Sequence, residues 1–183
     1  MKIVNILGLA ILQTATVNTV LGQTSNSNSM SPAAGDTHFA KEAASGGMAE
    51  VKLGQLAQQN GASDAVKQFG KRMENDHSKA NDQLKDIASK DNIVLPTDLN
   101  RKDQATYDRL SKLSGAAFDR AYAQDMVSDH ENDVAAFKKE SNNGQNPDVK
   151  NFAFQTLPTL QEHLRQAKGM ANSVGATIAK PMQ

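Results

Sequence analysis

Residues 69–84 read FGKRMENDHSKANDQL, and residues 122–137 read YAQDMVSDHENDVAAF. In both stretches an aromatic residue, Met, an Asp-His pair and apolar residues fall at nearly the same spacings, so His77 and His130 occupy matching places. Extended outward, the first stretch gives Val66, Gly70, Met73, His77, Ala80, Leu84 and Ile87, an alternation of four and three residues. That period serves one face of a helix and cannot serve a strand, whose side chains alternate every two residues. The inner face is apolar except at His77.

Three more stripes of the same kind follow. A first helix, capped and started by Asp36 or Thr37 and running to Asn60, carries Phe39, Ala43, Gly46, Glu50, Leu53 and Ala57, with Glu50 as its polar interruption. A third long helix over 116–141 carries Phe118, Tyr122, Met126, His130, Val134 and Phe137. The fourth, opened by Asn146 before Pro147, carries Val149, Ala153, Thr156, Leu160, His163, Ala167 and Met170. Pro158 lies inside it, where it removes the bond to the carbonyl of Phe154 and predicts a kink. Ser63 is placed to cap the second helix. Pro96, Thr97 and Asp98 predict a stop and a new cap, leading into a short connecting helix with Leu99, Tyr107, Leu110 and Leu113 as its apolar contacts.

The turns carry a second internal match. NGASDAVKQF at 60–69 aligns with NGQNPDVKNF at 143–152, an offset of 83 residues. Carried along the chain, the offset pairs the first long helix with the third and the second with the fourth, and sets Glu50 opposite Asp133. The expectation is an all-α four-helix bundle made of two related helical hairpins with a short connecting helix.

The chain begins MKIVNILGLAILQTATVNTVLGQ. A short basic start at Lys2 and an apolar run from Ile3 to Leu12, too short to span a bilayer, read as a signal peptide over 1–22, cleaved after Gly22. Residues 23–35 are rich in Ser and Asn and read as a disordered tether. The bundle is expected over 36–172 and a flexible C-terminal tail over 173–183. The expected address is export, to the periplasm or beyond and in association with the envelope, with no transmembrane span once the signal is removed.

These features form an ordered series: signal peptide, Ser/Asn tether, FAKEAASGGMAEVKLGQLA, MENDH, FDRAYAQDMVSDH and LPTLQEHLRQA. In that series the chain resembles the family known as domain of unknown function 4142, from about Phe39 to Met170. The resemblance implies a ferritin-like four-helix bundle in bacterial, often envelope-associated proteins, sometimes labelled outer-membrane proteins, and it implies no established activity. The outer-membrane label fits poorly, because no alternating lipid-facing strand pattern is present.

Balanced charge, 20 basic against 20 acidic residues, and the scarcity of aromatic residues leave no footprint for nucleic acid. The absence of Cys removes disulfides, thiolate ligands and a cysteine nucleophile. No nucleophile turn, phosphate loop or dinucleotide fingerprint is present, so nothing points to catalysis.

What remains is the set of polar residues on the inner stripes. Glu50, His77, His130 and His163 supply one ligand-capable side chain from each long helix, which is how bundles build metal sites. Glu74 and Asp133 are additional candidates. A di-iron site of the ferritin kind would need Glu-x-x-His on two helices; Glu74 and His77 form one such pair, but Val127 and Leu160 stand where the others would be. One divalent transition metal, zinc or iron, is therefore the expected cofactor, bound more weakly as protons compete for imidazole around pH 6.5. The alternative is an envelope structural or protein-interaction module whose histidines are purely structural. In that case Asp76, Asp129 and Glu162 are solvated, and an exposed helix face carries a contiguous apolar patch.

Overall fold

A computed structural model describes residues 33–178. They form five helices: α1 (Ala34–Asn60), α2 (Asp64–Asp91), α3 (Arg101–Leu110), α4 (Gly115–Asn143) and α5 (Pro147–Ser173), with no strand among the described residues. The expected signal peptide and most of the tether lie outside the described residues.

The helix ends follow local chemistry. Ser63 Oγ accepts from Ala65 N–H at 3.2 Å, as a cap should. Asn146 Oδ1 accepts from the N–H groups of Asp148 and Val149 at 3.0 and 2.9 Å, with Pro147 in the first turn. Asn92 ends α2 in the left-handed conformation, φ 56°. Helix α5 runs unbroken through Pro158.

Two expected caps are corrected. Helix α1 begins at Ala34 with no side-chain cap, because the Asp36 carboxylate is used elsewhere: its two oxygens accept from Gln145 N–H and Asn146 N–H, at 3.1 and 2.7 Å, in the turn between α4 and α5. Helix α3 is capped by Asn100, which accepts from Asp103 N–H at 2.9 Å, rather than by Thr97 or Asp98.

At the other end of the bundle, Asp119 near the start of α4 accepts from Ala62 N–H and Ser63 N–H, at 3.0 and 2.9 Å, in the turn between α1 and α2. The start of α1 therefore meets the end of α4, the start of α4 meets the end of α1, and the two helices are antiparallel. Asn146 Nδ2 donates to Asp91 Oδ2 at 2.9 Å, which sets the end of α2 beside the start of α5. The connection from α2 to α4 must then return along the length of the bundle. One such long crossover is the ferritin-like topology. Within it α1 packs chiefly on α2 and α4 on α5, the hairpins meet through α2–α5 and α1–α4, and α3 lies across α1 and α4.

The core divides into two apolar clusters. One gathers Leu53, Met73, Phe118, Tyr122, Met126 and Met170; the other gathers Phe39, Leu84, Phe137, Phe152 and Leu160. On each long helix the polar interruption falls between the two: Glu50 on α1, His77 on α2, His130 on α4 and His163 on α5. The apolar clusters thus enclose a polar layer at mid-bundle. Where a free tail was expected from 173 onward, Val174, Ala176 and Ile178 pack against the first cluster, and Thr177 O accepts from Gln124 Nε2.

Candidate metal centre

His77, His130 and His163 converge. One ring nitrogen from each lies within 4.8 Å of the other two, and the ring centroids are 5.8, 5.5 and 5.4 Å apart. All three are buried, at 7%, 0% and 1% exposure. Helix register explains the convergence: His77 lies fourteen residues beyond Ser63 and His130 eleven beyond Asp119, and Asp119 holds the Ser63 turn. The difference of three residues is about 5 Å at roughly 1.5 Å per residue, within the reach of two imidazole side chains.

The hydrogen bonds fix which nitrogen is free. His130 Nδ1–H donates to the Met126 carbonyl at 2.9 Å, because a carbonyl can only accept. Its Nε2 therefore carries a lone pair, and that atom has no partner among the described residues. His163 Nε2–H donates to Asp76 Oδ2 at 2.9 Å, leaving Nδ1 as the unpartnered lone pair. His77 Nε2 is likewise buried and unpartnered. A carboxylate or carbonyl gripping the second nitrogen is the arrangement that orients ligating histidines.

Electrostatics keep the imidazoles neutral. Burial holds His77 well below the ordinary imidazole range, reinforced by His130 and His163. Burial and His163 lower His130 to about 4. His163 is also lowered by burial, although Asp76 works against the shift.

The other candidates do not join this group. Glu50 lies eleven residues before Gly61, level with His130 rather than His77. Its Oε1 sits 3.8 Å from His130 Nδ1, the nitrogen already bonded to Met126. It is wholly buried with both oxygens unpartnered, and burial, then the charges of Asp129, Asp133 and Asp103, push its carboxyl well above the usual range. Glu74 accepts from Gln55 and Gln58, both at 2.8 Å, and is thereby tied to the edge of α1. Asp133 is half-buried on α4 and raised to about 8, first by burial and then by Asp129.

Asp76, which the structural alternative would leave solvated, instead orients His163 and pairs with Arg72 at 3.2 Å. Its place beside His77 in α2 was visible in the sequence; its reach to α5 depends on interhelix register. Glu162 accepts from Arg165 and Gln166 at the surface. Among the described residues the exposed large apolar side chains are Val94, at 79%, after α2, and Phe154, at 66%, on α5, and they do not compose a stripe on one helix.

The model of the family described as "Domain of unknown function (DUF4142)" matches residues 21–170. The chain belongs to that family. Two solved structures share the fold of this DUF4142 chain. A DUF305 protein from Streptomyces coelicolor matches with a TM-score of 0.68 at 13% identity, covering 81% of this chain and 98% of its own. A DUF305 fragment from Deinococcus radiodurans gives 0.68 at 13% identity, covering 78% and 98%. No curated protein matches.

Proposed function

We propose that this chain binds one divalent transition metal ion through His77 Nε2, His130 Nε2 and His163 Nδ1. The observation that carries the reading is that three buried imidazoles bring one ring nitrogen each within 4.8 Å of the others and each keep an unpartnered nitrogen among the described residues, while Asp76 and the Met126 carbonyl hold the other nitrogen of two of them. A buried polar atom left unpaired costs about 1–3 kcal/mol, so purely structural histidines would not collect three such atoms in one layer. Three imidazoles suit zinc or iron(II) and leave a further coordination position for water or an added ligand. Calcium, which prefers an all-oxygen shell, is disfavoured. Glu50 stands beside His130 outside the ligand set, its Oε1 on the Nδ1 side of the ring that the Met126 carbonyl already holds.

Because burial already holds the imidazoles below their ordinary pKa, proton competition sets in at lower pH than the 6.5 expected of free histidine. The reading is tested by titrating metal-stripped protein with Zn(II) by calorimetry and with Co(II) by visible absorption. One equivalent should bind, and binding should be lost in His77→Ala, His130→Ala and His163→Ala but kept in His38→Ala, whose residue is exposed on α1. Absence of stoichiometric binding by the unmutated protein would return the histidines to a structural role.

We also infer that the mature chain is exported and begins near Gln23, on the strength of the basic and apolar leader. No helix of the described residues is long and apolar enough to cross a membrane, and secretion is the fate suggested in the description of the Streptomyces coelicolor neighbour. Mass spectrometry of the protein recovered from a Gram-negative host checks the new terminus; intact Met1 protein in the cytoplasm would contradict it.

A further inference from the structure

Buried ligands need a path to solvent. A cavity of about 20 Å³, room for one water-sized occupant, lies beside His77 and is walled by Gly46 and Asp133. The same two residues wall an outer cleft of about 190 Å³ between α1, α3 and α4. Among the described residues the outer cleft is lined by Glu42, Asp103, Asp129 and Asp133 against a single cation, Lys102. An added Cβ at Gly46 would meet nothing within 4 Å, so the backbone there borders open space.

The opposite side of His77 has the reverse electrostatics. Among the described residues the groove between α2 and α5 is lined by Arg72 and Lys79, and its one carboxylate, Asp76, is engaged by Arg72 and His163. A cation approaching from that side meets positive charge, whereas the α1–α3–α4 side offers carboxylates that lack enough cations to balance them. Asp133 is raised to about 8, first by burial and then by Asp129, so near neutral pH it holds its proton and meets a cation as an oxygen ligand rather than as standing charge.

Resting on the metal-binding reading above, we propose that the acidic cleft is the access route by which a divalent cation reaches the three histidines, with Asp103, Asp129 and Asp133 as successive oxygen contacts and Gly46 as the open wall between cleft and inner cavity. The acidic cluster alone would not single out a route. The independent observation is that the cleft shares Ala43, Gly46, Asp133 and Phe137 with the cavity lined by His77, whose Nε2 is buried and unpartnered among the described residues; the α2–α5 groove touches that cavity only at Ala80 and Thr156, and from the side of Arg72 and Lys79. Carboxylates along such a path raise the local cation concentration and the association rate, and salt screens the effect.

The test is stopped-flow mixing of the metal-stripped full chain with Co(II), read alongside equilibrium titration and circular dichroism. Gly46→Leu fills the open wall and should slow association by at least about tenfold while leaving affinity within about threefold. Asp129→Asn combined with Asp133→Asn should slow association and flatten its salt dependence, and it serves as the second probe if Gly46→Leu does not fold. Thr159→Leu, in the α2–α5 groove alone, should load at the unmutated rate. If the unmutated protein binds one equivalent but Gly46→Leu or the double Asn variant loads at its normal rate, or Thr159→Leu is the slow variant, the route is overturned and the histidine site stands. If the unmutated protein binds no metal, both readings fall together.

Discussion

Asp36 clamps the turn of the hairpin that contains Asp119, and Asp119 clamps the turn of the hairpin that contains Asp36. Each is nearly buried, at 3% and 4% exposure, and each gives one oxygen to each of two successive backbone N–H groups. The donors are Ala62 and Ser63 in one turn and Gln145 and Asn146 in the other; 145 less 62, 146 less 63, and 119 less 36 all equal 83, the offset of the repeat in the sequence. The duplication therefore extends to individual hydrogen bonds. The two clamps also fix the relative depth of the hairpins, and through it the level at which the histidines meet.

Removing either clamp leaves two N–H groups without a charged acceptor. Asp36→Ala and Asp119→Ala should each lower stability by about 2–4 kcal/mol in urea denaturation. The losses should add in the double variant, because the residues act at opposite ends of the bundle. Asn at either position keeps one acceptor oxygen and should lose roughly half as much. A loss within about 0.5 kcal/mol for either alanine variant would show that the clamps are incidental.

Much of this arrangement was legible in the chain. The steps of three and four from Val66 to Ile87, the caps at Ser63 and Asn146, and the matching turns at 60–69 and 143–152 gave the helices and their pairing, because these signals are local. The histidines were legible as interruptions of three apolar stripes. What the stripes could not convey was rotation and depth between helices. Glu50 shares a stripe pattern with the histidines but lies level with His130, on its Nδ1 side. Asp76 sits one position off the α2 stripe, where only the approach of α5 makes it the partner of His163. The caps failed where a carboxylate had a distant use: Asp36 could cap its own helix, and instead closes a turn more than a hundred residues away.

The α1–α2 pairing depends on two facing glycines. An added Cβ on Gly70 would lie 2.7 Å from both the Ala57 Cβ and the Gly54 carbonyl, and one on Gly54 would collide with the Gly70 carbonyl. Backbone cannot yield as a flexible side-chain end can. Gly70→Ala should therefore push the helices apart and cost about 1–3 kcal/mol despite alanine's better helix propensity. Gly169→Ala is the contrasting case: an added Cβ there meets nothing within 4 Å, so the same change should stabilise by about 0.5–1 kcal/mol. Thermal unfolding of the two variants checks the opposite signs; matching signs would refute the close-approach argument.

The end of the bundle that carries Asp36 also carries a pH dependence. Glu140, 8% exposed with Oε1 unpartnered, is raised to about 7, first by burial and then by the neighbouring Asp36 carboxylate. Its folded pKa exceeds its unfolded value of about 4.3, so the folded state holds the proton more tightly. Its contribution to stability is whole below the unfolded pKa and is lost as pH rises through 7. Gln in its place stays neutral and keeps a donor for Asp36 at every pH. Glu140→Gln should leave stability nearly unchanged at pH 4 and raise it at pH 8 by on the order of 1–2 kcal/mol. Urea denaturation at the two pH values reads the difference directly. A gain equal at both pH values would assign the effect to packing, and no gain at pH 8 would mean that the Glu140 carboxylate ionises at that end of the bundle without cost.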